Sequence, residues 1–123
     1  MGRRLFDVID GPRGWSDSIG YGADRNAQPP VFVLTHQPPH TWRLGERFSF
    51  VTEGPHRALE RARAAAGEKD VVVMGGGAVC HEVLAAGLAD ILNIHLARSS
   101  SAAVRDCSRL RTHHVFGCNR SAS

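Results

Sequence analysis

Two four-residue runs with no polar member, Val31-Phe32-Val33-Leu34 and Val71-Val72-Val73-Met74, constrain this chain most. A short run without polar alternation is the pattern of a strand buried on both faces. The first follows Pro29-Pro30 and ends at Thr35-His36-Gln37-Pro38-Pro39, where the prolines forbid further ladder pairing. A third candidate strand is Ile91-Leu92-Asn93-Ile94-His95-Leu96, and a shorter, alternating one is Phe48-Ser49-Phe50-Val51.

Helices separate these runs. Thr52-Glu53-Gly54-Pro55 is a start signal, with proline at a first helical position, and predicts a helix from Pro55 to Ala66. Leu59, Ala62, Ala65 and Ala66 form its inward stripe, with Arg57, Glu60, Arg61 and Arg63 outward. Gly67 is its left-handed stop. A second helix is expected over Ala78–Ala86, with Val79, Val83 and Leu84 on one face and Gly87 as the stop. Residues 1–30 are rich in Gly, Asp, Arg and Pro; Leu5, Phe6, Val8 and Ile9 are the residues there able to pack, as one short helical turn. Gly11-Pro12-Arg13-Gly14-Trp15 reads as a turn or loop. The order strand, strand, helix, strand, helix, strand implies an α/β domain, with a mainly parallel sheet flanked by helices.

The formal charge of +3 invites a nucleic-acid reading, so its distribution matters. Residues 97–123 hold five Arg and one Asp, whereas residues 1–96 hold ten basic residues against eleven acids. The basic character belongs to the last 27 residues, where the apolar pattern also dissolves into an irregular C-terminal tail. The chain is therefore divided into a domain over 1–97 and a disordered, non-homologous tail over 98–123. No apolar run approaches the roughly 18 to 20 residues of a membrane helix, and Met1-Gly2-Arg3-Arg4 leads into no signal-peptide core. Three cysteines, two of them in the tail, offer no disulfide framework, which suits a reducing cytoplasm.

Val71–Met74, three glycines and then a helix is a physical recipe for a phosphate site. Glycines admit a ligand to the backbone, and unpaired N–H groups at a helix start attract anions. The dinucleotide fingerprint is incomplete: Cys80 stands at the third glycine position, and no acid lies about twenty residues on. A tight strand-to-helix turn without a ligand is the plainer alternative.

Several segments together resemble the dihydrofolate reductase-like superfamily, and most of all the reductase domain of the riboflavin-biosynthesis deaminase–reductases. They are Met1-Gly2-Arg3-Arg4, Gly14-Trp15, Pro30–His36 with Pro38-Pro39, Phe50-Val51-Thr52, Ala58–Gly67, Lys69-Asp70-Val71, Met74–Gly77 and Leu84–Leu88. The resemblance implies a partial dihydrofolate reductase-like fold, NADPH as cofactor, and hydride transfer to a small-molecule substrate, a ribosylated pyrimidine or a pteridine-like compound. It implies that Gly75, Gly76 and Gly77, with the N–H groups of Ala78 and Val79, hold the pyrophosphate. Gly2, Arg3 and Arg4 match the turn and helix start that meet phosphates from the other side. Thr35 and His36 match the strand end at the adenosine ribose and its 2′-phosphate. The family often has Thr where this chain has Leu5.

The resemblance begins in mid-domain, at a methionine that reads as internal, without the first strands that supply much of the substrate pocket. Weak or absent turnover is therefore expected, and no catalytic acid or base is assigned; Glu82 and Asp90 are of suitable type but read as helix surface and loop. At the other end, Arg outnumbers Lys 14 to 1, suggesting a GC-rich gene. Back-translating Ala97–Ser108 with GC-rich codons and shifting the frame permits Pro-Val-Leu-Leu-Gly-Gly-Gly-Thr-Arg-Leu-Phe, the family's continuation. The tail is accordingly read as out of frame, and Cys107, His113, His114 and Cys118 as an accidental cluster rather than a metal site.

Three functions follow as expectations: a truncated NADPH-dependent reductase; a non-catalytic NADP-binding module or inactive gene fragment; and a nucleic-acid binder through the basic tail. The last is disfavoured because Phe116 is the tail's one aromatic residue. No nucleic-acid or membrane partner is expected. A homodimer is, because a sheet lacking strands exposes apolar edges.

Overall fold

The computed structural model describes residues 1–26 and 28–93. Within the compact unit Met1–Leu88, five elements follow in order: α1 (Arg3–Asp10), β1 (Val31–Leu34), β2 (Phe48–Val51), α2 (Pro55–Ala66) and α3 (Gly77–Ala85). β1 and β2 pair in parallel, Val31 opposite Phe48 through Leu34 opposite Val51. The α/β class and the parallel pairing agree with the apolar runs.

The bounds of β1, β2 and α2 coincide with those read from the residues. Pro55 opens α2 behind Gly54, and Gly67 ends it in the left-handed region at φ 61°. α3 closes with a Schellman motif: Leu88 N–H donates to the Val83 carbonyl and Gly87 N–H to that of Leu84, each at 3.0 Å. Gly87 supplies the φ of +67° that this exit requires.

Four expectations need correction. The N-terminal segment forms more than one turn: α1 spans eight residues. Its helix exists because Phe6 and Ile9, three apart, bury together against the sheet, whereas Val8 points away at 71% exposure and does not pack. Val71–Met74 is not a strand. Its apolar pattern is strand-like, but a strand is defined by its ladder, and among the described residues no backbone group pairs with it. Val72 is accordingly 56% exposed. Ile91–Asn93 carries no strand either, and the rest of that candidate, with the tail and its Cys/His cluster, lies outside the described residues. Of the α2 stripe, Leu59, Ala62 and Ala66 are half-buried and Ala65 exposed, while Ala58 is the fully buried position.

The core gathers Met1, Phe6, Ile9, Val31, Val33 and Phe48. Phe6 meets Phe48 and Phe50 edge-on, at centroid distances of 5.5 and 5.0 Å. The Arg47 guanidinium lies over Trp15 and Phe48, at 5.6 and 4.9 Å from the ring centroids, and burial lowers its pKa.

No helix bridges β1 to β2. The connection is instead held by Arg43, whose guanidinium donates to the carbonyls of Ile9 (3.2 Å), Asp10 (3.1 Å), Gly11 (3.1 Å) and Trp15 (2.6 Å). Asp10 Oδ1 accepts from the backbone N–H groups of Arg43 (2.8 Å) and Leu44 (3.0 Å) in return. Four carbonyls around one planar fork cannot be served by an ammonium on a flexible stem. Arg43→Ala and Arg43→Lys are therefore both expected to lower stability, by about 2 kcal/mol, in a denaturant titration. Recovery of the wild-type midpoint by the lysine variant would contradict the clamp.

Candidate functional site: two helix starts at the end of a strand

The glycine turn begins where Val71–Met74 ends. Gly75 and Gly76 adopt φ of +37° and +89°, which only glycine holds without strain, and they turn the chain sharply into α3. Gly76 is the N-cap and brings no side-chain acceptor to it; the first intrahelical bond runs from Cys80 N–H to the Gly76 carbonyl. The N–H groups of Gly77, Ala78 and Val79 thus have no partner in their own helix. A Cβ at Gly76 or Gly77 would meet nothing within 4 Å, so the turn is open to an approaching group.

The start of α1 comes to the same place. Gly2 is its N-cap, likewise without a side-chain cap, and bridges in parallel to Leu34 at the carboxyl end of β1. A Cβ on Gly2 would stand 2.9 Å from Val79 Cγ2, and one on Gly75 would stand 2.8 Å from Leu5 Cδ2. Two glycines therefore permit the two helix starts to touch, and Leu5 is a packing residue against the turn rather than a position awaiting a hydroxyl.

Thr35, His36 and Gln37 complete the rim. Arg3 ties them in: its Nη1 donates to the Gln37 carbonyl and its Nε to Asp7 Oδ1 at 2.7 Å. Thr35 Oγ1 donates to the Gln37 carbonyl at 3.0 Å and accepts Gln37 N–H at 3.2 Å. His36 and Arg4 are exposed. The ten residues expected to form a cofactor site gather around the carboxyl end of β1, but in four states. Gly75, Gly76, Gly77 and Ala78 are exposed, Gly2 and Val79 are buried, Arg4 and His36 project into solvent, and the polar groups of Arg3 and Thr35 are already engaged within the chain.

Residue types alone did not announce a cleft of about 710 Å³ among the described residues. It lies elsewhere, between β1, α2 and Val71–Met74, and of the expected site residues only Val79 lines it. The signal available in the sequence was the small, apolar α2 stripe, whose Leu59, Ala62, Ala65 and Ala66 all face it. Among the described residues no group of three His, Cys, Asp or Glu could hold a metal ion, and no helix is long and apolar enough to cross a membrane. Comparisons with protein-family models, with curated proteins and with solved structures find no match.

Proposed function

We propose that this chain is the cofactor-binding part of an NADPH-dependent oxidoreductase, resembling the reductases of riboflavin biosynthesis. The observation that carries this reading is the meeting of two uncapped helix starts, at Gly2 and Gly76, at the carboxyl end of β1. Both present backbone N–H donors and the positive ends of helix dipoles to one region. The carboxyl end of a parallel strand is where open α/β sheets hold their ligands. An anion with two adjacent phosphates suits such a pair of donors.

The residues fit a pyrophosphate better than they fit the remainder of the nucleotide. Gly76, Gly77 and Ala78 would hold the pyrophosphate from one side and Gly2 and Arg4 from the other. For the 2′-phosphate, His36 is at hand; Arg3 would serve by fixing the Gln37 turn, since its guanidinium is bound to Asp7 and Gln37. The bound cofactor would supply a hydride, here to a ribosylated pyrimidine or a pteridine-like substrate. The chain's own residues contribute binding and orientation.

A second reading is favoured by one observation. Asp7, a carboxylate on α1 beside the convergence, is paired with Arg3 at 2.7 Å and so is already engaged within the chain. That suits a module which binds NADP without turning over. Incubation of the full chain with NADPH and the ribosylaminopyrimidine substrate separates the two. Oxidation of NADPH that requires the pyrimidine supports the reductase. Saturable NADPH binding without oxidation supports the module.

A further inference from the structure

Another pocket, of about 290 Å³, lies at the amino end of the parallel pair, away from the glycine turn. Gln28 reaches it from the segment ahead of β1, Gly45 and Arg47 from the segment ahead of β2, and Ser16 and Asp17 from the loop after α1. Its size is at the small end of ligand cavities, roughly 300 Å³. Arg43 also lines it, but that guanidinium is taken up by the four carbonyls of residues 9–15.

Arg47 is the cation left to act there. Its guanidinium is pinned over the rings of Trp15 and Phe48. Burial lowers its pKa, and the charge of Asp17 opposes that shift. A guanidinium carries five N–H donors. That of Arg47 uses Nη1 alone, toward the Tyr21 carbonyl at a long 3.4 Å. Asp17 lines the same pocket, and its charge reaches Arg47, yet the two form no direct ion pair. The Asp17 carboxylate has no hydrogen-bond partner among the described residues either. Its loop is held by Gln28, whose Nε2 donates to the Asp17 carbonyl at 3.4 Å.

One space is thus lined by an under-used donor fork and by a carboxylate without a partner. A simple anion would be repelled by Asp17, and a simple cation by Arg47. A small molecule that carries both charges a few bonds apart satisfies both residues. An α-amino acid is such a molecule, and its carboxylate has the two oxygens that a guanidinium fork accepts. We propose that this pocket binds a free α-amino acid, its carboxylate on Arg47 and its ammonium on Asp17. Ser16 and Gln28 line the space left for a small polar side chain. The site uses none of the N–H groups of the glycine turn, so it stands or falls apart from the cofactor reading.

Titration of the full chain with L-serine in mildly acidic buffer, followed by the nuclear magnetic resonances of the Ser16, Asp17 and Gly45 amides, tests this. Saturable shifts are expected. L-serine methyl ester keeps the ammonium without the carboxylate, and N-acetyl-L-serine the carboxylate without the ammonium. Each should bind about tenfold more weakly, an expectation for one lost charge-assisted contact. Asp17 is exposed, so Asp17→Asn should fold as the wild type does. That variant should bind L-serine about tenfold more weakly while holding N-acetyl-L-serine at least as well as the wild type; a loss of loop structure would weaken both. Absence of saturable shifts in the wild-type chain overturns the proposal. So does equal affinity for the three compounds, or wild-type affinity for L-serine in Asp17→Asn.

Discussion

Replacing Phe6 by alanine is expected to lower the melting temperature by more than about 10 °C. Phe6 is 1% exposed, and its ring stands edge-on to both Phe48 and Phe50. Through it α1 is joined to β2, across the strand that carries the rim of the candidate site. A buried Phe→Ala change costs about 3–5 kcal/mol, because the cavity adds to the lost transfer energy. A domain of this size has only about 5–10 kcal/mol in total, and among the described residues its sheet has two strands. Far-ultraviolet circular dichroism through a thermal scan would measure the loss. A melting temperature within a few degrees of wild type would mean that the aromatic cluster is not the core.

Gly14→Ala is expected to be nearly as damaging, for a reason unrelated to backbone freedom. Gly14 does not have a positive φ. A Cβ there would lie 2.0 Å from the Ile9 carbonyl oxygen and 2.4 Å from its carbon. Those atoms are backbone, and the same carbonyl accepts the Trp15 N–H at 2.8 Å and an Arg43 donor. No rotamer change relieves such a contact; α1's exit must move, and the Arg43 clamp moves with it. The expected loss is about 2 kcal/mol or more, read as a lower denaturant midpoint with an unchanged slope. Wild-type stability in this variant would contradict the close approach. Gly45→Ala, at a position with no atom within 4 Å but a φ of +79°, separates steric from conformational cost and should lose less.

What the amino-acid order disclosed was the part governed by local rules. Proline at the start of α2, glycine after α2 and α3, and unbroken apolar runs in β1 all act within a few residues, and each element stands where those signals put it. What it did not disclose depends on partners far along the chain. Arg43 is an ordinary loop arginine until four carbonyls from residues 9–15 surround it. The two full turns of α1 arise from packing of Phe6 and Ile9, which its polar composition conceals. Val71–Met74 has a strand's residues but no ladder among the described residues, and no local pattern reports a missing neighbour. The candidate site divides along the same line. Its glycine turn was legible from three consecutive glycines. That Gly2 and Gly75 let two helix starts touch, and that Arg3 and Thr35 are occupied, was written only in three dimensions.

The central claim is that the start of α3 binds the pyrophosphate of NADPH, and Gly77→Asp tests it most directly. Gly77 is the first residue of α3, its φ is not positive, and a side chain there meets nothing within 4 Å. An aspartate at a helix start is favoured by the dipole, so stability should hold or rise slightly. The same carboxylate would stand among the N–H donors and repel a phosphate. Calorimetric titration of the full chain with NADPH is therefore expected to give saturable binding to the wild type. For the aspartate variant, a loss of about 1.4–2.8 kcal/mol, or ten- to a hundredfold in Kd, is expected with the melting temperature preserved. Absence of saturable binding to the folded wild type, or equal affinity in both proteins, would contradict the account.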